Sequence, residues 1–156
     1  MAVTGRGVSI ALAAMLVVGA TVSARASSTV ICYAKDKAID VELHGSAGRS
    51  IGSGISGFGG EAEFKMSWMP QAVRRVSFEA GHLTQSWSDD REIRLAVSWM
   101  KEGKEPSPEL VLIIKTRRAR GDDAPYRGQY QLIATLPDDK AGTRREVQGK
   151  IECSAD

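Results

Sequence analysis

The sequence predicts an all-β fold: a single antiparallel β-sandwich or small β-barrel of about eight strands, closed by one disulfide. Three observations predict it. Apolar residues recur with period two from residue 28 onward, and turn-forming residues fall between those runs. The only two cysteines, Cys32 and Cys153, stand near the two ends of the chain that follows an apolar leader.

Alternation is clearest in five places. Ile39, Val41 and Leu43 alternate with charged or polar neighbours, as do Ala62, Phe64, Met66 and Trp68. The same holds for Ile93, Leu95, Val97 and Trp99, for Tyr130, Leu132, Ala134 and Leu136, and for Val147, Gly149, Ile151 and Cys153. Successive side chains of a strand point to opposite faces, so each run offers one face to a core and the other to water. Leu110, Val111, Leu112, Ile113 and Ile114 form an unbroken apolar run, which predicts a central strand covered on both faces. Turn chemistry separates the runs at Asp89-Asp90, at Pro106-Ser107-Pro108, across 120–125 and across 137–142. The segment 73–83 is ambiguous, but Val76 and Phe78 flanking Ser77 favour a strand over a helix. Strands are therefore expected at 28–35, 37–45, 61–68, 72–79, 91–101, 109–118, 127–136 and 144–153.

The leader sets the compartment. Residues 1–7 carry Arg6 as their only charged side chain, residues 8–22 are uncharged, and Ala24-Arg25-Ala26 places small residues where a signal peptidase needs them. Together these read as a secretory signal peptide over residues 1–26, with cleavage after Ala26. An apolar stretch of about 15 residues is short of the roughly 20 that span a bilayer, so no membrane anchor is expected. Arg6 has no arginine neighbour, which points to ordinary unfolded export. The mature chain, 27–156, is expected to be one periplasmic or secreted β domain. In an oxidising compartment its two cysteines have one intramolecular pairing available, Cys32–Cys153. First and last strands should then lie close, as neighbours in one sheet or across a core.

Charge excludes some partners. The chain has 21 Lys plus Arg and 19 Asp plus Glu; loss of Arg6 and Arg25 with the leader leaves 19 of each sign. A formally neutral mature chain gives no bulk reason to expect nucleic acid or a membrane surface as partner. Arg outnumbers Lys 13 to 8 and Asn is absent, which fits a GC-rich bacterial genome and leaves no N-glycosylation acceptor.

Motifs that resemble chemistry lose their context. Gly52-Ser53-Gly54-Ile55-Ser56-Gly57 has the spacing of a dinucleotide loop, but an alternating strand follows where a helix N-terminus is required. Seven glycines between Gly45 and Gly60 read instead as a flexible connection or binding loop. His44 and His82, the only histidines, stand in no paired metal-binding pattern, and no metal or cofactor is expected. The pairs Asp89-Asp90, Asp122-Asp123 and Asp138-Asp139 fall at turns without calcium-loop spacing. No serine is marked as an activated nucleophile, and Arg120-Gly121-Asp122 is a chance tripeptide.

Two candidate sites remain. Lys115, Arg117, Arg118, Arg120 and Arg127, with Tyr126 beside them, concentrate positive charge suited to an anionic polysaccharide, a lipid phosphate or an acidic partner. Lys115 and Arg117 should share a face and Arg118 turn the other way. The plain alternative is a strand end whose charges guard an edge against aggregation. Trp68, Trp87 and Trp99 could line an apolar cavity at a barrel mouth. The expected function is therefore a non-catalytic binding or accessory protein that takes an envelope component or protein partner through surface loops. A small-molecule or lipid carrier is the alternative, and an enzyme is disfavoured.

Overall fold

The structure, a computed structural model, describes residues 27–48, 54–101, 103, 107–121, 124–137 and 143–156. The leader therefore lies outside the described residues, as do the pairs Asp122-Asp123 and Asp138-Asp139. Among the described residues there are nine strands: β1 (Ser28–Lys35), β2 (Ile39–Ala47), β3 (Ile55–Phe64), β4 (Arg75–Phe78), β5 (Leu83–Ser88), β6 (Glu92–Met100), β7 (Glu109–Arg118), β8 (Tyr126–Leu136) and β9 (Thr143–Ala155). Single 3-10 turns at Gln71–Val73 and Ala80–His82 flank β4. No helix among the described residues is long and apolar enough to cross a membrane.

All nine strands belong to one antiparallel sheet in the order β4-β3-β2-β1-β9-β8-β7-β6-β5. Every strand pairs with its neighbour in sequence except β4 with β5, and the first strand pairs with the last. The result is one curled sheet, a half-barrel open between β4 and β5, rather than two packed sheets. At the open side the Ile55 N–H donates to Ser86 Oγ at 3.0 Å, so the start of β3 reaches β5.

The disulfide closes the joint between the chain ends. Cys32 and Cys153 are directly opposed in the β1–β9 ladder, their Cα atoms 4.0 Å apart, and both are fully buried. First and last strands are thus neighbours in one sheet. Beyond the ladder, Thr29 and Asp156 exchange both backbone hydrogen bonds at 2.8 and 3.1 Å.

The concave face holds the core. Val30, Cys32, Ile39, Val41, Leu43, Phe64, Ile93, Leu95, Val97, Leu110, Leu112, Ile114, Tyr130, Leu132 and Ile151 all point into it, as alternation required. Met69 and Val73, from the β3–β4 connection, are buried in the same core. Tyr130 lies opposite Gly149, where an added Cβ would collide with its ring, so the missing side chain of β9 is filled from β8. The Tyr130 hydroxyl donates to Asp36 Oδ2 at 2.7 Å. Asp36 Oδ1 in turn accepts the N–H groups of Ala38 and Ile39 at 2.7 and 2.9 Å, which fixes the β1–β2 turn. Partial burial opposes the charge on Asp36, but hydrogen bonds from Ile39, Tyr130 and Ala38 and the charge of Lys65 outweigh it. The carboxyl is held below its ordinary value. Burial, the Asp36 hydrogen bond and the Asp36 charge together push the Tyr130 phenol well above its ordinary value.

Four expectations are corrected. A ninth strand, β5, is present where none was read: its inner face carries Ser86 and Ser88 and its outer face Trp87, the reverse of the expected polarity. In the glycine-rich stretch 45–60, expected to be a loop, residues 45–47 and 55–60 are strand, while 49–53 lie outside the described residues. Gly57 and Phe58 together oppose Gly45, a bulge in which Gly57 takes the left-handed backbone (φ 59°). The bulge switches β3 from Ile55 facing inward to Phe58, Ala62 and Phe64 facing inward, which hides the strand from a period-two reading. The strand expected over 61–68 ends at Phe64, so Met66 and Trp68 belong to the connection that follows. The β7 run is covered on one face only: Leu110, Leu112 and Ile114 are buried, while Val111 and Ile113 lie half-buried on the convex side.

Candidate binding face

The convex face of β5–β9 gathers most of the polar candidates. Antiparallel register places residues of adjacent strands side by side, so the ladders can be read as rows crossing the sheet. One row runs Trp87, Arg94, Lys115, Gln129, Lys150 from β5 to β9. The next runs Glu92, Arg117, Arg127, Glu152 from β6 to β9 and continues into Tyr33 of β1. On the other flank lie Gln85, Ala96, Ile113, Gln131 and Gln148.

The two polar rows contain a block of four cations. Arg94 opposes Lys115, and Arg117 opposes Arg127 on the next row. Like charges directly opposed in a sheet are mutually destabilising. Glu92 and Glu152 offset part of this, through Arg94 at 2.7 Å and Arg127 at 2.8 Å. Lys115, Arg117 and Lys150 have no ion pair among the described residues. β7 and β8 are paired on both sides, so these charges guard no edge.

Two shallow depressions meet here. One of about 560 Å³ is lined by Glu92, Arg94, Lys115, Arg117, Gln129 and Gln148. The other, of about 660 Å³, lies around Gln85, Trp87, Arg94, Ala96, Ile113 and Lys115. They share Arg94, Ile113 and Lys115, with half-buried Ile113 in the common floor.

The remaining sequence candidates fall elsewhere. Arg118 turns to the inner face, its guanidinium 5.3 Å over the Tyr126 ring. Tyr126 is buried, and its hydroxyl donates to the Asp89 carbonyl at 3.0 Å; burial raises its phenol. Arg120 is exposed in the β7–β8 connection. The tryptophans are split between faces. Trp68 and Trp99 pack against the core, and Arg145 sits 5.2 Å over the Trp68 ring. Trp87 is 42% exposed on the convex side. The inner gap between Val30, Cys32, Leu43, Phe58 and Leu95 leaves no space for a water molecule. His44 stands on the convex side over Gly59, and His82 accepts the Glu79 N–H through Nδ1 at 2.8 Å. Among the described residues no three His, Cys, Asp or Glu side chains gather as a metal set.

Arg94, Gln129 and Lys150 were missed by reading along the chain, because only cross-strand register brings them to Lys115. The signal that could have found them is spacing: in meander hairpins, alternate positions of β6 to β9 must line up row by row. No protein-family model, curated protein or solved structure matches the chain.

Proposed function

We propose that this chain is a non-catalytic, exported binding protein that takes an anionic component of the cell envelope on the convex face of β6–β9. The observation that carries this reading is the block of Arg94, Lys115, Arg117 and Arg127, two like-charge pairs on adjacent rows of the interior strands β6–β8. Glu92 and Glu152 offset only part of this repulsion, a bound anion would offset more, and edge protection does not explain the block on doubly paired strands. Export by a signal peptide over residues 1–26 belongs to the same proposal; a buried disulfide is consistent with a non-cytoplasmic site. The carrier alternative with a cavity lined by Trp68, Trp87 and Trp99 is less favoured, since Trp87 is exposed on the convex side while Trp68 and Trp99 pack against the core.

The test is binding of an anionic polymer by the mature protein at two salt concentrations. Affinity should fall with salt, and Lys115→Glu with Arg117→Glu should weaken it about tenfold or more. Arg75→Glu, on β4, is the control and should leave it unchanged. Equal loss in both variants, or binding indifferent to salt, sinks the proposal.

A further inference from the structure

Resting on that reading, we infer that the anion is a linear acidic polysaccharide lying across β5–β9 along the row Trp87, Arg94, Lys115, Gln129 and Lys150, with Trp87 stacked on a sugar ring. Four strand spacings make this row about 19 Å long, the reach of an extended chain rather than of one compact head group.

Trp87 supplies the first argument. Its Nε1–H donates to Asp89 Oδ2 at 3.3 Å, while Asp89 Oδ1 accepts the N–H groups of Arg91 and Glu92, both at 2.8 Å. The indole is thus tied to the β5–β6 turn with its one polar group engaged, so it offers the ring face. A tethered, exposed aromatic face suits the C–H face of a pyranose. The hydrogen bond from Arg91 leads the interactions that keep Asp89 below its ordinary carboxylate value, so the tether persists through neutral and mildly acid conditions.

The second argument is the mixture of donors and acceptors. Glu146 accepts the side-chain amides of both Gln131 and Gln148. Their carbonyl oxygens are thereby left to accept from hydroxyls, while Arg94, Lys115 and Lys150 donate to carboxylates. Glu92 and Glu152, interleaved among the cations, oppose a polymer with a full charge at every short step, such as polyphosphate. A chain with one carboxylate per sugar and hydroxyls between meets both features. The third argument concerns shape. The apolar residues beside the row, Ala96 and Ile113, are half-buried in the floor of the depression and do not protrude, as insertion into a lipid surface would require.

The experiment is isothermal titration of the disulfide-intact mature protein with four probes. These are an oligogalacturonide long enough to cross five strands, its methyl ester, polyphosphate, and phosphatidylglycerol vesicles. The oligogalacturonide should bind saturably, and its neutral ester should not. Trp87→Ala should weaken binding about tenfold, and Trp87→Phe should restore most of it. Since Trp87 is exposed and outside the core, both variants should keep the wild-type unfolding midpoint. If polyphosphate or vesicles bind and the oligogalacturonide does not, or if Trp87→Ala changes nothing, the polysaccharide inference is wrong and the anion-binding function stands. If none of the three anions binds, both fall.

Discussion

Removing the Cys32–Cys153 cross-link should cost this fold more than removal of any other single contact. The bond links residues 121 apart in sequence. In the chain-entropy model, closing a loop of that size restricts the unfolded chain by about 5 kcal/mol at 25 °C. Position makes the loss specific. β1 and β9 are paired only from Val30 to Tyr33 against Glu152 to Ala155, whereas β8 and β9 are paired from Tyr126 to Leu136. Without the bond, the N-terminal meander (β1–β4) is held to the C-terminal one (β5–β9) by that short ladder, the Thr29–Asp156 pair, the Ile55–Ser86 and Tyr130–Asp36 hydrogen bonds and the packing of the shared core. Total stabilities of small domains are about 5–15 kcal/mol, so the loss is a large fraction of the whole. The assay is urea unfolding of the oxidised and the dithiothreitol-reduced protein, which share every side chain and differ only in the cross-link. The midpoint should fall by the equivalent of about 4–5 kcal/mol, and hydrogen exchange should accelerate first in β1. A difference below about 1 kcal/mol would refute the reasoning, because it would mean that the unfolded chain already holds its ends together.

Other predictions follow from the core and its turns. Tyr130→Phe deletes a hydrogen bond to a charged carboxylate and should lower stability by about 1.5–3 kcal/mol, read by the same urea titration. Asp36 has a lowered folded-state value, so its contribution is fully present at neutral pH and is lost as pH falls through the ordinary carboxylate range to that lowered value. Asp36→Asn should therefore destabilise at pH 7 and converge on wild type in strong acid; a gap that stays constant with pH would contradict this. Gly128→Ala should cost about 3 kcal/mol, because a Cβ there meets the Lys115 carbonyl oxygen, a backbone atom that cannot swing aside. Retention of the wild-type midpoint would show that the β7–β8 ladder is looser than its register implies.

How far the sequence foretold the fold depends on which physical signal each element carries. β1 and β7 occupy the spans read from it, 28–35 and 109–118, because each has an alternating apolar set on its inner face, Val30, Cys32 and Ala34 in one and Leu110, Leu112 and Ile114 in the other. The cysteine pairing was legible because only one pairing existed. β5 was not legible: a bulge at Thr84 breaks its period, small serines face inward and the tryptophan faces out. The start of β3 was hidden by its glycines. Turn propensity suggested a loop, whereas close approach decides their role: a side chain at Gly45 would strike Ile55, and one at Gly60 would strike the Glu42 carbonyl. Half of the basic cluster was legible in the same sense. Lys115, Arg117 and Arg127 do share the convex face, while Arg118 and Tyr126 turn inward by parity. Arg94 and Lys150 lie on other strands, and no local pattern points to them.

Net charge misjudges this molecule because the sheet separates its charges. The row that holds Arg117 and Arg127 on β7 and β8 continues through Glu152 and Tyr33 to Glu42 and Glu61 on β2 and β3. There the like-charge pairs are acidic, Glu42 with Glu61 and Asp40 with Glu63. Five strand spacings separate β7 from β3, about 24 Å along the sheet, which exceeds the Debye length of about 8 Å at physiological ionic strength. On the proposed reading, the two ends of the row should therefore act independently on an anion. Glu61→Lys with Glu63→Lys raises the net charge by four units, yet anion affinity at physiological salt should stay within about twofold of wild type. Lys115→Gln with Arg117→Gln lowers it by only two and should weaken binding about tenfold. Titration of both variants with the same anionic polymer separates the possibilities. If affinity follows net charge instead, the acidic-end variant will bind more tightly than wild type, and the local cation block will not be the binding site.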